Sequence, residues 1–328
     1  MSSITTRFSH AALLGTLSLL APTAALVSLP AQAAAPQVKT QAPGFYRLMV
    51  GEVEITALSD GTVKLPVSQL LTDIHPKEVE ATLARHYLPQ PVETSINAFL
   101  INTGKHLVLV DSGAGNKFGP GAGRILASLK AAGYRPEDID AVLLTHIHGD
   151  HSNGVTIEGK PAFPHAVVYA DRHETEFWLD ERNASTVAED QRRMFKDAKE
   201  ALGPYQAANR LRTFEGETEL LPGVRSKPTH GHTPGHSFYV VESQGQRMEF
   251  WGDLIHAGAV QFAKPAVTIR FDVDSKAAAR QRHGAFAEAA KHGYWVGASH
   301  LSFPGIGHLR RDGKGYAWLP VNYSLNEQ

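Results

Sequence analysis

Directly after the apolar run Ala141 to Leu144 the chain reads THIHGDHSNG, residues 145–154, with three histidines and an aspartate inside six positions. A short apolar run bounded by turn residues reads as a buried strand, so this segment is a polar loop that leaves the core at the end of a strand. Neutral imidazole nitrogens and carboxylate oxygens bind zinc at about 2.0–2.2 Å, which makes His146, His148, Asp150 and His151 all ligand-type groups. Gly149 lets the backbone fold back and aim alternate side chains at different points. One loop can therefore serve two ions.

Composition narrows the chemistry. The chain has 328 residues, 17 histidines and no cysteine. Disulfides, thiolate nucleophiles and cysteine zinc ligands are excluded, and every transition-metal ligand must be His, Asp or Glu. A formal net charge of −1 without a basic block gives no support for a nucleic-acid or membrane surface. The N-terminus reads as a secretory signal: Arg7 in a polar start, an apolar stretch from Ala11 to about Leu29, then Ala31, Gln32 and Ala33 as a small-x-small cleavage site. Pro22 and Pro30 interrupt the stretch and argue against a membrane anchor, and no cysteine follows for lipidation. The expected organisation is a signal peptide over 1–33, a flexible lead-in over 34–43 and a single domain over 44–328, exported to a periplasm or secreted.

Within that domain the expected strands are Tyr46 to Val50, Val53 to Leu58, Ala98 to Asn102, Leu107 to Val110, Ala141 to Leu144, Val167 to Ala170, Phe238 to Glu242, Met248 to Trp251 and Tyr294 to Gly297. Helical patterns cover Gly123 to Ala132, stopped by Gly133, then roughly Val187 to Leu202 and Ser275 to His292. ESQGQR around Gly245 reads as a hairpin turn. Strands alternate with helices in mid-chain and pair as hairpins near both ends, which fits mixed sheets covered by helices.

Further ligand candidates follow strands in the second half: His232 in THGHTPGH, Asp253 in WGDLIH and His300 in ASHLSFPGIGH. The order HxHxDH, His, Asp, His resembles the metallo-β-lactamase-fold hydrolases over nearly all of residues 44–328. LSDGTVKLPV (58–67), VLVDSGAG (108–115), GHTPGHSFYVVESQGQ (231–246) and HLSFPGIGHL (300–309) look like the exported methyl parathion hydrolase group of that superfamily. The resemblance implies an α/β fold, the four-layer αββα sandwich, with metals at one edge and a homodimer in solution.

Carried over by position, it implies that His146, His148 and His232 hold one divalent ion, that Asp150, His151 and His300 hold the other, and that Asp253 bridges them with a water or hydroxide. Zinc is the expected metal. Two cations about 3.5–4 Å apart share a carboxylate and lower the pKa of a bound water to about 7, so a metal-bound hydroxide is the expected nucleophile, with Asp253 or Asp150 accepting a proton later. Asp111 in VDSG resembles the buried aspartate that fixes a ligand histidine; a plain turn aspartate is the other reading. His230 and His236 flank a ligand but have the wrong places in the pattern, and read as structural or as supports behind a ligand.

Substrate class rests on lining residues. The resemblance suggests an aromatic mouth with Phe118 and Trp178, Met194 or Phe195 nearby, and His256, Ile269 and Phe271 along the pocket; ordinary core packing is the other reading for the aromatics. A narrow apolar slot favours a lactone or aryl ester, dihydrocoumarin-like, over a phosphotriester with three substituents. Phosphotriester hydrolysis is expected as a weaker side activity, and as the main activity it is the alternative. Arg310, Arg311 and Lys314 keep a glutathione thioester open. A non-catalytic binding protein conflicts with seven filled ligand positions, and a purely structural zinc site would be closed at four.

Overall fold

The structure, a computed structural model, describes residues 35–325. The expected signal segment over 1–33 lies outside them, and the described residues from Gln41 onward cluster as one compact unit. Among the described residues no helix is long and apolar enough to cross a membrane.

Two seven-stranded sheets form the centre. The first takes its strands in chain order: β1 (Phe45–Val50), β2 (Val53–Leu65), β3 (Val92–Asn102), β4 (Leu107–Val110), β5 (Ala141–Leu143), β6 (Val167–Asp171) and β7 (Leu211–Phe214). β1 to β4 pair antiparallel, and β4 to β7 are parallel. The second sheet is β8 (Glu219–Leu221), β9 (Val224–Pro228), β10 (Ser237–Ser243), β11 (Gln246–Phe250), β12 (Trp295–Gly297), β13 (Ile306–Asp312) and β14 (Gly315–Pro320). Its only parallel pair is β11 with β12.

Period-two alternation distributes the apolar residues to three layers of core. On β3, Phe99 and Ile101 turn inward to meet Tyr239, Val241, Met248 and Phe250 of the other sheet, and the rings of Phe99 and Phe250 sit 5.2 Å apart. Ala98 and Leu100 turn outward against the helices Ile125–Ala131, Arg172–Trp178 and Arg193–Ala207. On the far side, Phe238 and Trp251 pack on Phe286 and Ala289 of the helix Ser275–His292. The architecture is the four-layer αββα sandwich.

Several boundaries differ from expectation for local reasons. β2 runs on through Ser59, Asp60 and Gly61, where the register shifts, so a turn-like SDG is a bulge within a strand. The mid-chain helix lies later than expected, at Arg193–Ala207, because Leu202 and Tyr205 bury on one face and carry it past Gly203 and Pro204. The hairpin at Gly245 is a two-residue turn in which Gln244 (φ 49°) and Gly245 (φ 75°) are both left-handed.

Chain direction explains where a site forms. β4, β5 and β6 are parallel, so their C-terminal ends share one edge; β9, β11 and β12 likewise point the same way in the second sheet. The segments after these strands carry Asp111, the THIHGDH segment, Glu174, His232, Asp253 and His300. Beside them, Val67, Leu71, Val79, Leu83, Val260 and Ile269 form a small apolar cap.

Candidate metal centre

The loop after β5 turns through Thr145, whose carbonyl accepts from Ser237 N at 2.9 Å and so ties the two sheets together at this edge. Gly149–Ser152 form a single helical turn. Gly149 is required by crowding rather than by an unusual φ: a Cβ there would lie 2.6 Å from Asn153 Nδ2 and 3.1 Å from Phe118. This corrects the expectation of a glycine needed for a fold-back.

Asp253 lies at the middle of the cluster, its side chain buried, and its two oxygens face different histidines. Oδ1 is 2.9 Å from both His151 Nε2 and His300 Nε2. Oδ2 is 3.5 Å from His146 Nε2, 3.2 Å from His232 Nε2 and 3.0 Å from His256 Nε2. Asp150 Oδ2 lies 3.4 Å from His300 Nε2 and 3.7 Å from His151 Nε2. His148 faces inward with Nδ1, 3.1 Å from His232 Nε2. Ligand atoms thus gather as His146, His148, His232 and Asp253 on one side, and Asp150, His151 and His300 on the other.

The outward ring nitrogens determine what the inward ones offer. His151 Nδ1 donates to Asp111 Oδ2 and His232 Nδ1 to Asp272 Oδ1, both at 2.8 Å; His300 Nδ1 donates to the Ser95 carbonyl at 2.9 Å. Thr145 Oγ1 gives its single proton to Asp111 and accepts from His146 Nδ1 at 3.1 Å. With each Nδ1 proton used in this way, the Nε2 lone pairs of these four imidazoles are turned into the cluster. His146 Nε2, His151 Nε2 and Asp253 Oδ1 are buried with no hydrogen-bond partner. Buried polar atoms in that state are costly unless a cation satisfies them, and this donor set fits a divalent transition metal. Asp111 itself adopts a left-handed backbone, φ 59°, a strained state that the surrounding hydrogen bonds hold in place.

His236 is not a ligand, because both of its nitrogens are used: Nε2 accepts from Asp253 N at 3.1 Å and Nδ1 donates to Thr229 Oγ1 at 2.8 Å. Burial pushes it down to about 3, so it stays neutral. His232 behaves in the opposite way. Burial alone would lower it, yet the carboxylates of Asp253 and Asp272 raise it to about 9, the negative environment that a cation would share.

Three further carboxylates support the centre, and of these Asp272 and Glu174 carry no sequence signal of their own. Asp272 holds His232. Glu174, fully buried, accepts from Ile147 N at 2.9 Å and Gly235 N at 2.7 Å. Asp60 accepts from Ala114 N at 2.9 Å, Gly123 N at 3.0 Å and Ile125 N at 3.1 Å, which shapes the loop behind Asp111. Exchanging Asp111 for asparagine, which tolerates a left-handed backbone, is expected to weaken metal binding roughly 10–100-fold; competition with a chromophoric chelator measures it.

The family model described as the metallo-beta-lactamase superfamily matches residues 91–304. The chain belongs to this superfamily. Among solved structures, the hydrolase AbOPH of the beta-lactamase superfamily superposes with a TM-score of 0.83 at 41% identity, covering 87% of this chain and 100% of that one. AidC, a dizinc quorum-quenching lactonase bound to a product, gives 0.80 at 25% identity, covering 86% and 99%. An N-acyl homoserine lactonase of Bacillus cereus is 31% identical over 121 residues, which is 37% of this chain and 40% of that relative. The chain thus spans well under half the length of the curated relatives it matches.

For this member of the superfamily the structure redistributes the pocket residues. Trp178 and Phe195 do not form a mouth. They are fully buried in the core between the first sheet and its helices, with Met194 packed against the same cluster; Trp178 reaches the site only as a wall, edge-on to His148 at 5.2 Å. Ile269 is buried in the apolar cap. Phe118, 40% exposed, stands over Gly149 at the surface, and Phe271 is half-buried with its ring 6.0 Å from His256. His256 stacks on His300 and aims Nε2 at Asp253, so it belongs to the metal cluster as much as to the pocket.

Proposed function

We propose that the chain is a binuclear-metal hydrolase of carboxylic esters that prefers lactones and aryl esters. The observation that carries this reading is Asp253, whose two carboxylate oxygens each face a separate group of imidazoles. His146, His148 and His232 would hold one ion, Asp150, His151 and His300 the other, with Asp253 between them. Two divalent cations bound there, zinc in this reading, supply an ionised water near neutral pH and polarise the ester carbonyl.

The chain's own groups do the rest. Asp111, Asp272, Ser95 and Thr145 hold the imidazoles in the tautomer that leaves Nε2 free. Asp150, with 18% of its side chain exposed against 4% for Asp253, is the carboxylate that reaches solvent, and it is placed to take the proton released when the ester opens. A phenolate leaves without an acid; an alkoxide needs that proton back. His256 and His300 line a groove of about 790 Å³ whose walls include the apolar Val67, Leu83, Val92, Phe262, Leu301 and Phe303 beside the charged Glu78, Arg85, Glu93 and Lys264. An apolar acyl or aryl arm fits the apolar walls. The likeness to AidC and to the Bacillus lactonase supports a lactone as the reacting group.

The test compares kcat/KM of the zinc-loaded chain on dihydrocoumarin, an N-acyl homoserine lactone, an aryl acetate and an aryl dimethyl phosphotriester, with His148→Ala as control. A lactone or aryl ester should lead the phosphotriester by at least about tenfold, and the control should lose both. A phosphotriester in first place overturns the reading. Phe271→Ala should shift the ratio of dihydrocoumarin to a small alkyl lactone by about tenfold; an unchanged ratio would remove Phe271 from the pocket.

A further inference from the structure

Outside the main centre, three ligand-type side chains meet at the end of β6. Asp171 caps the helix Arg172–Trp178, its Oδ1 accepting from His173 N and from His173 Nδ1, each at 2.8 Å. The other oxygen, Oδ2, is buried on a side chain with 0% exposure. Facing it at 3.4 Å, an ion-pair contact at the long limit of a hydrogen bond, is His230 Nε2, and neither atom has another hydrogen-bond partner. The rings of His173 and His230 are 5.0 Å apart, and one ligand atom from each of the three residues lies within 4.8 Å of the others. Both imidazoles are partly open to solvent, at 38% and 36%.

We propose that Asp171, His173 and His230 form an additional metal site for a single borderline divalent cation such as Zn²⁺, open to water on its exposed side. The 3.4 Å separation of Asp171 Oδ2 and His230 Nε2 matches the edge of a coordination tetrahedron with bonds of about 2.0–2.1 Å, which is about 3.3 Å. Two imidazoles and one carboxylate select zinc, cobalt, nickel or copper over magnesium or calcium, which require a shell of oxygens. The site has a structural consequence for the main centre. His230 lies two residues before His232, whereas Asp171 caps, and His173 belongs to, the helix whose Glu174 holds Ile147 N and Gly235 N. A cation here cross-links the His232 loop to that helix.

The experiment titrates Zn²⁺ alone into the metal-loaded full chain after gel filtration has removed loose ions, using a chromophoric competitor to count equivalents. Wild type should bind one more equivalent than His173→Ala and than His230→Gln, or bind it at least tenfold more tightly. In cobalt-substituted protein the same equivalent should add visible absorption that both variants lack. The readout is a difference between proteins, so it does not depend on how many ions the main centre holds or on turnover. His173→Ala, at a half-exposed helix position, keeps the comparison valid if His230→Gln disturbs the neighbouring loop; circular dichroism checks both folds. Equal stoichiometry and affinity in all three proteins would overturn the site and leave Asp171 and His230 as an ion pair.

Discussion

Asp253→Ala should lower kcat/KM on any ester substrate by on the order of 1,000-fold or more and should release metal from both halves of the centre. The carboxylate contacts both: Oδ1 touches His151 and His300, Oδ2 touches His146, His232 and His256. Without it, the two cations of the proposed centre would share one remaining carboxylate, Asp150, among five imidazoles, and their mutual repulsion would lose its main compensation. Asp253→Asn separates charge from shape. Its backbone N–H still reaches His236, and its amide oxygen can serve one side but not bridge two with negative charge. The asparagine variant should therefore keep the fold and more metal than the alanine variant, yet recover little activity. Metal content by atomic emission, thermal unfolding and kcat/KM on one batch distinguish these effects. Activity within tenfold of wild type in Asp253→Ala, with metal retained, would mean that the two histidine groups do not act as one centre.

The parts of this arrangement legible in the sequence are those written in consecutive residues. His146, His148, Asp150 and His151 lie on one loop, and an apolar run announces the strand that aims it. His232, Asp253 and His300 are each an ordinary residue after a strand; their place came from the ordered resemblance, and the shared edge of parallel C-terminal strand ends explains why order along the chain becomes proximity in space. Asp272 and Glu174 left no trace because their partners are distant: His232 is 40 residues from Asp272, and Glu174 reaches Ile147 and Gly235 across 27 and 61 residues. The early half of β3 was hidden for another reason. Val92, Thr94 and Ile96 alternate inward, but Thr94 is polar and buried, so the apolar signal starts only at Ala98. Trp178 and Phe195 show the limit of reading aromatics by position, since a large apolar ring near a metal ligand in sequence packs behind that ligand as readily as in front of it.

Glu174→Ala is expected to destabilise the chain by about 2–6 kcal/mol, from two buried amides left without acceptors at about 1–3 kcal/mol each, and to weaken the metal centre although Glu174 contacts no ligand side chain. Ile147 N sits between His146 and His148, and Gly235 N lies in the turn that returns from His232 to His236. A single carboxylate therefore fixes both loops relative to the helix Arg172–Trp178. Burial pushes this carboxyl up, and the hydrogen bonds from Thr233, Gly235 and Ile147 oppose that rise by favouring the anion. Glu174→Gln provides the sharper comparison. Its one amide oxygen can accept from one loop, and its NH₂ then confronts the other amide donor to donor, so glutamine should restore no more than part of the loss. Chemical denaturation of the zinc-loaded and chelator-treated proteins measures both effects. If Glu174→Ala costs less than about 1 kcal/mol and leaves metal affinity unchanged, the backbone bond from Ser237 N to the Thr145 carbonyl is sufficient to hold the loops, and the precision of the centre resides in the sheets themselves.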